Sequence, residues 1–375
     1  MHKISTSDDD LIVKGLFRKR SPVKRLPKSM IRVGDINAIN FTGNDYFEIS
    51  QDISVKVAIS DAILKYGFGS GASAVVTGYT HEHKRFEDSF SNYMNRDASI
   101  LFNTGYQANL AVMQCFGNKE TTILADKYIH ASIIDGVKLS DSRFLRYKHQ
   151  SLNHAQIRLS SVKTEKCILV TESIFGMEGT ITNLKEFSVL AHNYNASFFI
   201  DNAHGLGIID PTHDPYSRAR LIISPLGKAI GGMGAVVSGN YKDIETLIQF
   251  ARSYRFSTSM PAAMATALCQ ALHVLEKDHK KFDMLMENIN YFNCLCLNKN
   301  IKLVSNDLTP IRAVLVNDNL KIMEIHKQLL SQGFNVSPIR PNTVPTGQSR
   351  LRITITSGHT KSQISSLINA LEYLL

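Results

Sequence analysis

Between about residues 98 and 240, short β-branched or aromatic runs alternate with stretches of helical periodicity, and this alternation constrains the fold more than any other feature of the chain. The runs SILFNT, KCILVTES, SFFID, RLIIS and GAVVSG read as strands, and GYQANLAVMQCF and LKEFSVLAHNY read as helices between them. Strands separated by helices must run side by side in the same direction, which predicts an α/β fold with a doubly wound, mainly parallel sheet. In such sheets ligands sit beyond the carboxyl ends of the strands, so the residues just after each run are the ones to inspect.

At 375 residues with 43% hydrophobic types, the chain is long enough to bury a large core and a second, smaller one. From about 261 to 292 it is helix-rich, starting after Pro261, a residue suited to a first helical turn. Beyond lie three expected strands, KLVSND, IRAVLVND and RLRITIT, and helices over Lys321–Leu330 and Lys361–Leu374. In the last helix Ile364, Leu367, Ile368, Leu371 and Leu374 recur three and four apart and predict a buried face. The expected division is an N-terminal segment 1–43, a large domain 44–282 and an α+β domain 283–375. The first residues carry no long apolar run, and nowhere do about eighteen apolar residues follow one another, so a cytoplasmic protein without membrane contact is expected.

The five cysteines are scattered, without a CxxC pair, and indicate neither a disulfide framework nor a zinc site. Cys294 and Cys296 fall on different faces of a helix, and His81 and His83 offer no further ligands, so no metal is expected. The net charge of +9 is dispersed except for Arg18, Lys19, Arg20, Lys24, Arg25 and Lys28. No nucleic-acid module accompanies this cluster, which leaves a solvated basic face or a mouth that attracts a polyanionic substrate.

Three places carry chemistry. In FIDNAHGLG a strand ends in Asp201, with His204 three residues later, so an acid and an imidazole emerge together at a carboxyl end. In LIISPLGKAIGGMGAVVSG a strand leads to Lys228 and a glycine-rich turn, where a lysine able to lose its charge can capture an aldehyde. An aldehyde cofactor with a pyridine ring needs a carboxylate to keep its nitrogen protonated, and Asp201 lies on a preceding strand. In LFNTGYQANLAV a strand meets Gly105 and Tyr106 where a helix begins, and free N–H groups there suit a phosphate.

These motifs, with TGNDYFEIS, YGFGSGASAVVTGYTHEHKRFE, LADKYIHASIIDG, TESIFGMEG, YRFSTSMP and IRPNTVPTGQSRLRITITSGH, occur in one order from about residue 16 almost to the C-terminus. In that order the chain resembles the α-oxoamine synthases, which are fold-type I enzymes using pyridoxal phosphate. The resemblance implies a large domain with a seven-stranded sheet and a smaller C-terminal domain. It implies Lys228 as the Schiff-base lysine, Asp201 as the partner of the pyridine nitrogen, His204 as the donor to the phenolic oxygen and His130 as the imidazole stacked on the ring. Gly105 and Tyr106 meet the phosphate through their backbone, and Ser257 or Thr258 reaches it from the second subunit of a homodimer with shared active sites.

By the same resemblance Arg352 holds the amino acid's carboxylate as a bidentate fork, assisted by Asn44, and Arg18 lies near the acyl substrate. Arg350, two residues away on the same strand face, reads equally as a structural ion-pair partner. The implied activity is decarboxylative condensation of an amino acid with an acyl thioester of coenzyme A or acyl carrier protein. Through the stretch IRPNTVPTGQSRLRITIT the chain most resembles the members of the family that act in biotin biosynthesis, and that resemblance implies L-alanine and a pimeloyl thioester as substrates. Siblings using glycine or L-serine, or making quorum signals, stay open, as does a non-catalytic partner or regulatory relative. The last is motivated by departures: Gly176 stands where serine is usual, Pro225 where a phosphate-binding threonine is usual, Asn202 replaces an acid, and the stretch between His204 and Ser224 is short. Ser224 could replace the threonine only if the strand end is shifted.

Overall fold

A computed structural model describes residues 7–211, 216 and 218–375. Residues 1–6 of the N-terminal segment, and 212–215 and 217 of the shortened stretch after His204, lie outside the described residues. The chain divides into two units: residues 7–48, Gly176–Thr180 and His279–Leu375 form one, Ile49–Phe175 and Ile181–Asp278 the other.

The larger unit is built on a seven-stranded sheet in the order Ala98–Phe102, Ala235–Gly239, Leu221–Pro225, Ser197–Asp201, Lys166–Glu172, Thr121–Asp126, Arg143–Tyr147. Only Ala235–Gly239 runs against the others, pairing antiparallel with both neighbours. Leu221–Pro225 and Ala235–Gly239 are buried at every position, as expected of strands covered on both faces. One face packs Phe102, Ile123, Phe199, Ile223 and Val237 against Ala108 and Val112 of the helix Gly105–Phe116 and Ile133 of the helix Ala131–Leu139.

Ala98–Phe102 is an edge strand, and its outward N–H groups need partners. Glu87, on the helix His81–Tyr93, supplies one: its Oε1 accepts from the N–H of Leu101 at 2.7 Å and its Oε2 from the hydroxyl of Tyr79 at 2.6 Å. Burial pushes the Glu87 carboxyl up to about 7, although both hydrogen bonds oppose the shift. The neutral acid is therefore favoured in the fold below about pH 7, whereas in the unfolded chain the carboxyl ionises near 4.5. The stability this contributes is complete below the lower value and is lost as pH rises through the upper one. Glu87→Gln, with no proton to lose, should gain on the native protein by on the order of 2 kcal/mol between about pH 5 and about pH 8 in urea titrations. A difference independent of pH would show that Glu87 is ionised in the fold throughout.

The helix-rich stretch near 261–292 is two helices, Ala262–Lys277 in the larger unit and His279–Asn298 in the smaller, with Pro261 as the N-cap of the first. In the smaller unit Val23–Leu26, Met30–Val33 and Ile36–Asn40 form an antiparallel meander, joined in parallel by Phe334–Asn335. A second sheet pairs Ile311–Leu315, Arg350–Thr354 and Ser337–Ile339. Helix Lys361–Leu374 buries Ile364, Leu367, Ile368 and Leu371, as its spacing predicts, whereas Leu374 at its end is only partly buried.

One expected strand does not form: KLVSND makes a single bridge, Leu303 to Val314. The buried Arg312 draws the segment around itself, donating to the carbonyl oxygens of Asp307 and Thr309 and to Asn293 Oδ1 at 3.0 Å. Carbonyls that satisfy a buried guanidinium are not available for a sheet ladder. Among the described residues no helix is long and apolar enough to cross a membrane.

Candidate active site

The carboxyl edge of the large sheet gathers the expected residues of the larger unit. Asp201, the last residue of its strand, is buried, and its Oδ1 accepts from the N–H of Ala203 at 3.0 Å. Its Oδ2 accepts from Asn109 Nδ2 at 2.8 Å, and the same nitrogen donates to Ser132 Oγ at 2.9 Å. Ser132 Oγ lies 2.7 Å from His130 Nδ1. His130 is the exposed N-cap of the helix Ala131–Leu139, with the ring of Tyr106 edge-on at 6.4 Å. A buried carboxylate is thus wired to an exposed imidazole through two buried side chains. His204 is buried in the turn that follows Asp201.

Lys228 emerges beside them because Leu221–Pro225 pairs in parallel with the strand of Asp201, Ile223 opposite Asp201. Its loop is closed by N–H donation from Leu226 to the carbonyl of Gly234 at 2.9 Å, from Gly232 to Leu226 at 3.0 Å and from Gly231 to Lys228 at 2.8 Å. The half-buried lysine therefore stands on a fixed hairpin connection rather than a loose loop.

The helix Gly105–Phe116 starts at Thr104, whose Oγ1 accepts from the N–H of Gln107 at 3.1 Å. The N–H groups of Gly105 and Tyr106 have no helical acceptor behind them and point out of the helix start. Gln107 Nε2 donates to Ser257 Oγ at 3.1 Å, and Asn103 Nδ2 to the carbonyl of Thr258 at 2.7 Å, so the FSTSMP segment lies beside the helix start of its own chain.

In the smaller unit Arg352 and Asn44 meet. Arg352 is buried; its Nη2 donates to Asn44 Oδ1 at 3.0 Å, its Nε to the carbonyl of Gly176 at 2.7 Å and its Nη1 to Thr354 Oγ1 at 3.1 Å. Burial lowers its pKa from the usual arginine value, with Tyr46 opposing, and burial raises that of Tyr46. Gly179 lets the 176–180 loop pass close behind: at φ +74° a Cβ there would sit 2.3 Å from the carbonyl oxygen of Ile311. Arg18 Nη2 donates to Thr343 Oγ1 at 3.0 Å, and Arg340 Nη1 donates to the carbonyl of Gly15 at 2.5 Å, so the N-terminal segment is tied to the IRPNT turn.

Arg350 takes the structural alternative. It pairs with Glu178 at 2.9 Å, both buried, and donates to Gln348. Arg350→Ala would remove the hydrogen-bonded cation from the buried carboxylate of Glu178 and should lower the unfolding free energy by about 3–5 kcal/mol. Urea titration checks this; a loss under about 1 kcal/mol would mean that water reaches Glu178.

Residues 36–371 match the family model for aminotransferase class I and II. The chain is 32% identical to an 8-amino-7-oxononanoate synthase of Nitrosococcus oceani, over 96% of this chain and 97% of that one. It is 33% identical to a protein of the same name from Thioalkalivibrio sulfidiphilus, over 99% and 97%. A solved 8-amino-7-oxononanoate synthase from Francisella tularensis, 35% identical, superposes with a TM-score of 0.78 over 90% of this chain and 97% of that one.

This chain belongs to the aminotransferase class I and II family. Its fold is the fold-type I arrangement that the motif order implied; a Sphingomonas wittichii serine palmitoyltransferase, 24% identical, shares it at a TM-score of 0.92 over 98% and 94% of the two chains. Against that family background the departures acquire structural reasons. Pro225 packs on the helix start: a Cβ on Gly105 would lie 2.7 Å from its Cγ. Strand alternation turns the neighbouring Ser224 to the opposite face, where its hydroxyl is buried without a hydrogen-bond partner, so Ser224 does not stand at the helix start beside Gly105. Gly176 offers its carbonyl to Arg352. Asn202 Oδ1 accepts from Ser173 at 2.8 Å and Tyr216 at 2.7 Å without adding a second buried charge beside Asp201.

Asn109, Ser132 and Gln107 do not stand out in the sequence of this family member. The available signal was Asn109 itself, a polar residue inside the apolar stripe of GYQANLAV, where burial requires a partner. His83 binds the carbonyl of Met260 at 2.8 Å and caps its own helix with Thr80. Cys296 is buried and Cys294 exposed on their shared helix.

Proposed function

We propose that this chain condenses L-alanine with a pimeloyl thioester, releasing carbon dioxide and forming 8-amino-7-oxononanoate for biotin biosynthesis, with pyridoxal phosphate as cofactor. The carrying observation is that Lys228 follows the strand that pairs in parallel with the strand of buried Asp201, Ile223 opposite Asp201, in a chain alike over nearly its full length to relatives named for that reaction. The residues fit the cofactor: a buried carboxylate for a ring nitrogen, an exposed imidazole for stacking, and unspent N–H groups at Gly105 and Tyr106 for a phosphate. When bound, pyridoxal phosphate supplies a protonated pyridine that accepts the electron pair left at the substrate's Cα.

The chain's own residues do the rest. Asp201 would hold the ring nitrogen protonated, His204 would donate to the phenolic oxygen, and His130 would stack on the ring. Lys228 Nζ takes the Cα proton. Arg352, with Asn44, grips the amino acid's carboxylate, and a guanidinium already desolvated and aligned loses little freedom in doing so. Arg18 lies at the acyl substrate's end. Ser257 or Thr258 reaches the phosphate of the second subunit in a homodimer, and the acyl carrier is coenzyme A or acyl carrier protein. Pro225 at the helix start favours one other reading, a non-catalytic partner subunit with a weakened phosphate site.

The test supplies purified protein with pyridoxal phosphate, pimeloyl-coenzyme A and each of L-alanine, glycine and L-serine, and measures free thiol release and product mass. Thiol release with L-alanine alone is expected. Release only with glycine or L-serine moves the chain to a sibling reaction, and none with any of them, together with no cofactor retained on desalting, gives the non-catalytic reading.

A further inference from the structure

We propose that Asn109 and Ser132 are positioning residues that hold His130 in the tautomer protonated at Nε2 and link that choice to the carboxylate of Asp201. The inference rests on the reading above for what His130 faces, but the tautomer follows from the hydrogen bonds alone. A carboxylate only accepts, so Asp201 Oδ2 compels Asn109 to turn its NH2 group toward it at 2.8 Å. The second hydrogen of that nitrogen reaches Ser132 Oγ at 2.9 Å. Ser132 Oγ, accepting there, keeps its hydroxyl proton and a second lone pair, and His130 Nδ1 lies 2.7 Å away. The backbone N–H of Ser132 also approaches Nδ1, at 3.3 Å. A backbone N–H can only donate, so Nδ1 carries the lone pair, the hydroxyl proton of Ser132 turns toward it as well, and the ring proton of the neutral imidazole is left on Nε2.

The orientation of Asn109 is the hinge of the argument, and one observation supports it. Asn109 Oδ1 is buried with no hydrogen-bond partner. An amide free to choose would turn that oxygen toward the hydroxyl of Ser132; it does not, because the same turn would set oxygen against the Asp201 carboxylate. Asn109, Ser132 and Asp201 are all buried, so no solvent competes for these bonds. The exposed side of His130 then presents Nε2–H as a donor to whatever oxygen the substrate brings, with the ring held edge-on by Tyr106.

The test is long-range proton–nitrogen correlation NMR on the protein labelled with 15N-histidine, at about pH 8.5 where an ordinary imidazole is neutral. The His130 signals are assigned by their loss in His130→Gln. Native protein should show Nε2 protonated and Nδ1 bare. Ser132→Ala should shift a large share of His130 to the other tautomer and lower kcat by about tenfold, with little change in KM for L-alanine, and Ser132→Thr should restore both. Asp201→Asn, which lets the Asn109 amide turn over, should also mix the tautomers. Because the spectrum is read without substrate, a failed condensation assay leaves this test standing. Native protein protonated at Nδ1, or an unmixed Nε2 tautomer in both Ser132→Ala and Asp201→Asn, overturns the proposal.

Discussion

Lys228→Ala protein is expected to lose turnover by on the order of 10⁴-fold or more while keeping its fold. The loop around Lys228 is closed by backbone bonds from Leu226 to Gly234, Gly232 to Leu226 and Gly231 to Lys228, none of which needs the side chain. Removing Nζ from a half-buried site on that frame should change the unfolding free energy by only about 0.5 kcal/mol. What disappears is the group that takes the Cα proton in the proposed mechanism. Exchange of the α-proton of L-alanine for solvent deuterium, followed by NMR without an acyl donor, isolates that step. Exchange at more than about a tenth of the native rate would assign the proton to another base.

Asp201→Asn should cost roughly 10³-fold in kcat, with a smaller effect on stability. The substitution keeps the shape of the side chain and an oxygen to accept from Ala203, so the strand end is held much as before. It removes the buried carboxylate that, in the proposed site, would stabilise a positive ring nitrogen where water is excluded. A residue acting only as a turn acceptor would tolerate asparagine, so retention of more than about a tenth of native kcat would reduce Asp201 to a structural role. The two losses should not add, because both residues serve one step.

Much of the site is legible in the sequence. Lys228, Asp201, His204 and Gly105 each follow an apolar run at a strand's end, and the glycine-rich turn after Lys228 is local punctuation. The C-terminal helix is readable from residue spacing alone, since its period is a property of its own backbone. The strands Val23–Leu26 and Arg143–Tyr147 are less legible: the first is exposed along most of its length and carries Lys24 and Arg25 side by side, and the second is a charged edge strand, so neither alternates cleanly. KLVSND misleads because its apolar start looks like a strand, while the deciding side chain, Arg312, lies outside it.

The sequence by itself determined the α/β class, the family and the residues able to carry the chemistry, because helical and strand periods and motif order are written along the chain. Tertiary structure alone decided which of those residues meet. Asn109 and Ser132 touch only because the helices Gly105–Phe116 and Ala131–Leu139 pack beside the strand of Asp201. Of the adjacent Ser224 and Pro225, it is Pro225 that meets Gly105, and Arg350 rather than Arg352 pairs with Glu178. Local periods follow from the dihedral angles of neighbouring residues, whereas contacts between distant segments depend on how every side chain between them fills space.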